Sequence, residues 1–77
     1  MRNSEEYKTR DLAEAAALIT YGIQISKIER IKNICFFVFE NIGLCESISK
    51  KYFFGELLVN ARTYYESIGR LKTIIFR

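Results

Sequence analysis

The run ICFFVF, residues 34–39, is apolar at every position and dense in β-branched and aromatic side chains, which predicts a strand. A strand with no polar position has no face to offer to water, so both of its faces have to be covered. That requirement narrows the fold class. The segment before it, IQISKIERI, carries Ile23, Ile25 and Ile28 but is half polar. Lys32 and Asn33 between the two segments predict a turn, so the pair reads as an antiparallel hairpin. The apolar–polar alternation of the first strand slips at Ser26 or Lys27, which predicts a bulge. One face of the hairpin is expected to meet a helix, and the other to need a cover from later helices or from a partner.

Helical patterns on both sides supply the cover. Asp11 is placed to cap a first helix, with Glu14 three residues on reaching back as the second half of a capping box, and Thr9 a competing cap. Leu12, Ala15, Ala16, Ile19 and Ile23 then recur at helical spacing, and Gly22 is placed to end the helix. The alanines Ala15, Ala16 and Ala17 permit close backbone approach and predict a flat neighbour, a sheet. Tyr7–Thr9 reads as either a short strand or an extended lead-in. LCESISKKYFF predicts a second helix, with Cys45, Ile48 and Tyr52 on one face, Glu46, Lys50 and Lys51 in water, and Gly55 at its end. After a short crossover, ELLV, Asn60 caps a third helix. Ala61, Tyr64, Tyr65, Ile68, Leu71, Ile75 and Phe76 form its apolar stripe, and Glu66 and Arg70 an i,i+4 pair. The expected architecture is α+β: a short helix, a two-stranded or three-stranded antiparallel sheet, and two C-terminal helices packed on it.

With 77 residues there is room for one domain, residues 1–77, with residues 1–6 frayed at its start. Hydrophobic residues are 49% of the chain and aromatics 14%, enough for a real core, which excludes disorder. There is no proline, so breaks fall to glycine, asparagine and serine. Twelve basic against nine acidic residues give +3, a mild charge for a duplex-DNA binder and the wrong sign for a DNA mimic. Cys35 and Cys45 are the only cysteines and there is no histidine. A zinc site needs about four thiolate or imidazole ligands, so it would require an oligomer. Both cysteines read as small core hydrophobes, with a disulfide left open. No apolar run approaches the roughly 18–20 residues of a spanning helix, and the charged start is not a signal peptide. A cytoplasmic location is expected.

The stretches YKTRDLAEAAALITYGI, IERIKNICFFVFE and YFFGELLVNARTYYESIGRLKTIIF together resemble a family of short bacterial, phage and plasmid proteins catalogued only as a domain of unknown function. The matching motifs are a K-T-x-D-L start (Lys8, Thr9, Asp11, Leu12), an E-R hairpin (Glu29, Arg30) ending in an F-V-F strand (Phe37, Val38, Phe39), and an aromatic-x-x-G-E-L-x-V-x-A element (Tyr52, Gly55, Glu56, Leu57, Val59, Ala61). Members often carry tryptophan where Phe53 stands. The resemblance covers nearly the whole chain and implies a mobile-element setting and this order of elements. It implies no activity and no site residues.

No Ser or Cys stands beside a plausible base, no glycine-rich phosphate loop is present, and the carboxylates carry no paired spacing. The expectation is therefore a non-enzymatic protein without cofactor or metal. Two binding readings remain. Lys50 and Lys51, followed by Tyr52, Phe53 and Phe54, then by Arg62, Arg70, Lys72 and Arg77, can hold single-stranded nucleic acid by stacking and charge. Lysines at a helix C-terminus are, however, favoured by the helix dipole alone. Surplus apolar and aromatic surface on so small a domain points instead to a protein interface. The preferred expectation is a protein that occupies a surface of a host protein or nucleoprotein complex, an inhibitor of a defence nuclease being its concrete version from the resemblance. Free single-stranded nucleic acid is the alternative. No membrane partner is expected, and self-association stays open. The candidate contact residues are Lys50, Lys51, Phe53, Phe54, Arg62 and Arg70.

Overall fold

The computed structural model describes residues 6–76. In chain order the elements are β1 (Tyr7–Thr9), α1 (Leu12–Tyr21), β2 (Ile25–Ile31), β3 (Ile34–Phe39), α2 (Ile42–Phe53) and α3 (Ala61–Ile75). The fold is α+β, with a three-stranded antiparallel sheet in the order β1-β3-β2. Tyr7–Thr9 is thus a strand, with Tyr7 opposite Phe39 and Thr9 opposite Phe37. Parallel strands β1 and β2 flank β3 and are joined through α1, a split β-α-β unit. The expectation of a frayed start falls on residues 1–5, outside the described residues, and on Glu6, whose carboxylate lies 3.8 Å from the Lys27 ammonium.

The hairpin follows its sequence closely. Lys32 and Asn33 take φ of 51° and 71°, the doubly positive pattern of a two-residue primed turn. The register jumps between Ile25 and Lys27, so Ser26 is the bulged residue. Counting from the register, Tyr7, Thr9, Phe37, Phe39, Ile25 and Ile28 share the inner face of the sheet. Phe37 and Phe39 are buried there with Ala15, Ala16, Leu18, Cys45, Ile48 and Leu71 in one core.

The outer face is not covered by a helix. Val38 is completely buried, yet its cross-strand neighbours are Lys8 and Lys27. Lys8 lies 3.1 Å and Lys27 3.2 Å from the Glu29 carboxylate. The lysine stems supply apolar cover while their ammonium groups stay in water. Hydrogen bonds from Lys8 and then Lys27 hold the Glu29 carboxyl below its usual range, and the bond to Glu29 raises Lys27. Among the described residues, the side chains that flank Val38 across the sheet are these charged ones on the neighbouring strands.

Helix α1 lies at the centre. Five consecutive residues, Glu14 to Leu18, are buried, which requires neighbours on several sides. It packs against α3 and α2 as well as β1, so the small alanines admit helices as well as the sheet. Thr20 donates to the Ala16 carbonyl (2.7 Å) and its hydroxyl lies 3.1 Å from Ser67 Oγ, and Tyr64 OH donates to the Ala13 carbonyl (3.2 Å). On α3 the inner stripe is Tyr64, Ser67, Ile68, Leu71 and Ile75; Ala61, Tyr65 and Phe76 are exposed. Tyr65 is one residue, about 100°, round the helix from Tyr64, and Phe76 lies beyond the last turn. Glu66 pairs with Arg62 at 3.5 Å rather than with Arg70. Both arginines stand one turn from it, and an exposed pair of this kind contributes only about 0.3–0.5 kcal/mol, too little to dictate the partner. Asn41, at φ 65°, caps α2 by accepting from the Leu44 N–H, so α2 begins two residues before the expected Leu44.

Helices α1 and α2 end in the same way. The Gly22 N–H donates to the Ile19 carbonyl and the Ile23 N–H to Leu18; the Gly55 N–H donates to Tyr52 and the Glu56 N–H to Lys51. This is the paired hydrogen bonding of a Schellman motif, with glycine at φ of 117° and 73°. A Cβ at Gly55 would meet nothing within 4 Å, so alanine there adds backbone strain alone. Gly55→Ala is expected to cost about 1–2 kcal/mol, lowering the melting temperature by roughly 4–8 °C per kcal/mol in a thermal melt. An unchanged melt would contradict the left-handed turn.

Candidate functional site

Three consecutive aromatics on a helix cannot share a face, because successive residues are about 100° apart. At the end of α2 the inner side is taken by Cys45, Ile48 and Ser49, all buried. Tyr52 is half-buried, while Phe53 is 61% and Phe54 68% exposed. The Phe53 ring stands edge-on to Tyr52, centroids 5.0 Å apart. After Gly55 the crossover is extended and its side chains alternate. Leu57 and Val59 turn inward, and Leu58, 91% exposed, turns out.

Two hollows flank this end. One, about 210 Å³, is lined by Ala17, Tyr52, Gly55, Leu57, Val59 and Tyr64. Four of these residues belong to the aromatic-x-x-G-E-L-x-V-x-A element, so that element builds one wall of an apolar cleft. The other, about 600 Å³ and wide open, is lined by Tyr7, Glu46, Ser47, Ser49, Lys50 and Phe53.

Of the candidate contact residues, Lys50, Lys51, Phe53 and Phe54 are brought together and exposed. Arg62 is exposed at the start of α3, held near Glu66. Arg70 is exposed about 12 Å further along the α3 axis and lines neither hollow. Leu58 was not among the candidates; the alternation of ELLV in an extended crossover is the signal that identifies it.

Beneath the open hollow lies a group that sequence reasoning placed elsewhere. Glu14 does not complete a capping box. Asp11 caps α1 by accepting from the Glu14 N–H (3.1 Å), and the Asp11 N–H is taken by Thr9 Oγ1 (3.1 Å). The Glu14 side chain, 3% exposed, turns inward and accepts from the hydroxyls of Thr9 (2.6 Å), Tyr7 and Ser49. Three donors satisfy it better than one exposed backbone N–H would, which is the condition for burying a carboxyl group. The lone acid in the alanine-rich segment LAEAAA is the available sequence signal. Burial, then the hydrogen bond to Glu14, pushes the Tyr7 phenol up to about 12. Tyr52 is also raised, first by burial. The thiols are free; Cys45 is buried, donates to the Glu40 carbonyl (3.6 Å) and is pushed up by burial, and Cys35 is half-buried.

Replacing Glu14 by leucine removes the acceptor of three hydroxyls, of which Ser49 is buried, Tyr7 half-buried and Thr9 still bonded to the Asp11 N–H. A buried hydroxyl left unpaired costs about 1–3 kcal/mol. Glu14→Leu is therefore expected to cost about 2–3 kcal/mol in urea unfolding, and Ser49→Ala about 1 kcal/mol. Because the folded value of Tyr7 lies above its unfolded one, its contribution to stability is complete below pH 10 and is lost as pH rises towards 12. Spectrophotometric titration should find a tyrosine step near pH 12, and Tyr7→Phe should remove it.

A family described as a domain of unknown function (DUF5659) matches residues 4–77. No curated protein and no solved structure matches the chain. With 74 of its 77 residues (4 through 77) inside that match, the chain belongs to the family of this domain of unknown function.

Proposed function

We propose that the protein acts without catalysis, by binding a macromolecular partner through the apolar surface at the end of α2. The observation that carries this reading is the exposure of Phe53, Phe54 and Leu58, at 61%, 68% and 91%, within six residues of chain. Three large apolar side chains in water are a cost that burial against a partner removes, at about 1.5–3 kcal/mol for each one fully covered. Aromatic anchors of this kind dominate binding energy at protein interfaces, with charged residues at the rim. Lys50 and Lys51 form that rim, and Arg62 lies across the crossover. The partner is a protein or nucleoprotein complex of the cell that hosts a mobile element, in the cytoplasm. Inhibition of a defence nuclease is the specific form of this reading, and it rests on the resemblance to phage and plasmid proteins.

A second reading uses the same residues. Phe53 and Phe54 are exposed directly beside Lys50 and Lys51, which also suits stacking on unpaired bases at about 1–3 kcal/mol each.

One experiment separates them: capture of partners from host lysate by the tagged protein, with and without nuclease, using wild type, Phe53→Ser/Phe54→Ser and Lys50→Glu/Lys51→Glu. All four positions are exposed, so both variants are expected to melt within a few degrees of wild type. The phenylalanine variant should lose a nuclease-resistant protein partner by about tenfold or more. Undiminished capture by that variant would end the apolar-surface reading. Capture that vanishes with nuclease and falls steeply with salt would establish the nucleic-acid reading.

A further inference from the structure

We propose that a third, separate cavity binds a small organic carboxylate carrying an aliphatic or aromatic body. The cavity, about 310 Å³, lies between the start of α1, the hairpin and the end of α3. The sheet register explains its composition. Arg30 on β2 stands opposite Cys35 on β3. On the other side of β3, β1 ends with Thr9 opposite Phe37, and the chain leaves the sheet at Arg10. Arg10 and Arg30 thereby line one cavity together with Cys35, while Leu12, Phe37 and Ile75 form apolar wall. Among the described residues no carboxylate side chain lines it.

The two arginines are not equivalent. Arg30 donates through Nη2 to the carbonyls of Ile75 (3.0 Å) and Ile74 (3.4 Å). It offsets the negative end of the α3 dipole, and its remaining N–H groups stay available because a guanidinium carries five donors. Arg10 makes no ion pair or side-chain hydrogen bond among the described residues. Its neighbour Asp11 is occupied with the Glu14 N–H. Among the described residues Arg30 is engaged by the fold and Arg10 is not; Arg10 is exposed and places a positive charge beside an apolar hollow. Planar guanidinium groups match a carboxylate in geometry as well as charge. The volume is at the lower end of small-molecule sites, which restricts the ligand to a compact body. A bare inorganic anion would leave the apolar wall unused, and a neutral apolar molecule would leave Arg10 unanswered.

Arg10→Gln tests the assignment without disturbing α3, since Arg10 is exposed; its melt should match wild type. The amide spectrum of the 15N-labelled protein is followed during titration with benzoate, octanoate and benzamide at constant ionic strength. Benzoate or octanoate should move the signals of Leu12, Cys35 and Phe37 together and saturably. Benzamide, with the same ring and no charge, should bind about tenfold or more weakly, and Arg10→Gln should weaken carboxylate binding by a similar factor. The assignment fails if neither carboxylate gives a saturable shift at those residues. It fails equally if benzamide matches benzoate, or if Arg10→Gln titrates as wild type does.

Discussion

The buried Glu14 carboxyl ties the two layers of the molecule together. It sits on the central helix, takes two of its hydroxyl donors from β1 and a third from α2, and is satisfied only when all three elements are in place. Apolar burial is tolerant of small slips; a carboxyl group is not, because each lost donor leaves a buried polar atom unpaired. Tyr7 and Thr9 are two residues apart on one strand, so both reach Glu14 only if β1 presents its inner face. A slip of one residue would turn both hydroxyls to the solvent side. The three-residue strand β1 thus owes its register to this group as much as to its few backbone bonds.

That clamp also bears on the exposed surface. Ser49 and Phe53 are one turn apart on α2, so the hydroxyl that fixes the helix inward lies next to the ring that points outward. The Schellman turn at Gly55 then sets the direction of the crossover, sending Leu57 and Val59 in and Leu58 out. The helix end and its left-handed turn therefore set where Phe53, Phe54 and Leu58 stand. Side chains on an already ordered backbone lose less conformational freedom if a partner covers them.

Much of the fold was legible in the sequence. The hairpin, its turn at Lys32 and Asn33, the bulge at Ser26, the caps at Asp11 and Asn60 and the ends at Gly22 and Gly55 all follow from residues within one turn or one strand of each other. Geometry requires adjacent helical aromatics to diverge, so not all of Tyr52, Phe53 and Phe54 could face inward, but which of them would stand in water was not legible. Other features were not legible. Tyr65 and Phe76 look as apolar as Tyr64 and Ile75, and only the position of α1 decides which of them is covered. Val38 announces that it must be buried, but not that its cross-strand neighbours would be lysines. Glu14 is as well placed for a capping box as for a buried cluster, and the choice depends on hydroxyls that local pattern does not connect to it.

The division between the two kinds of information is one of range. Strand and helix periods, caps and turns depend on atoms a few residues apart, so the linear chain by itself determined the three helices, the hairpin, their order and the α+β class, while the third strand, Tyr7–Thr9, was decided by its pairing with β3. What only the tertiary structure decided are the pairings across 35 residues from Glu14 to Ser49, 47 from Thr20 to Ser67 and 45 from Arg30 to Ile75. A hydroxyl, a carboxyl or a guanidinium can take many partners, and close packing selects one by bringing it within hydrogen-bonding distance. The same packing chose which apolar side chains had room inside and which were left in water, and so placed the surfaces to which binding is assigned.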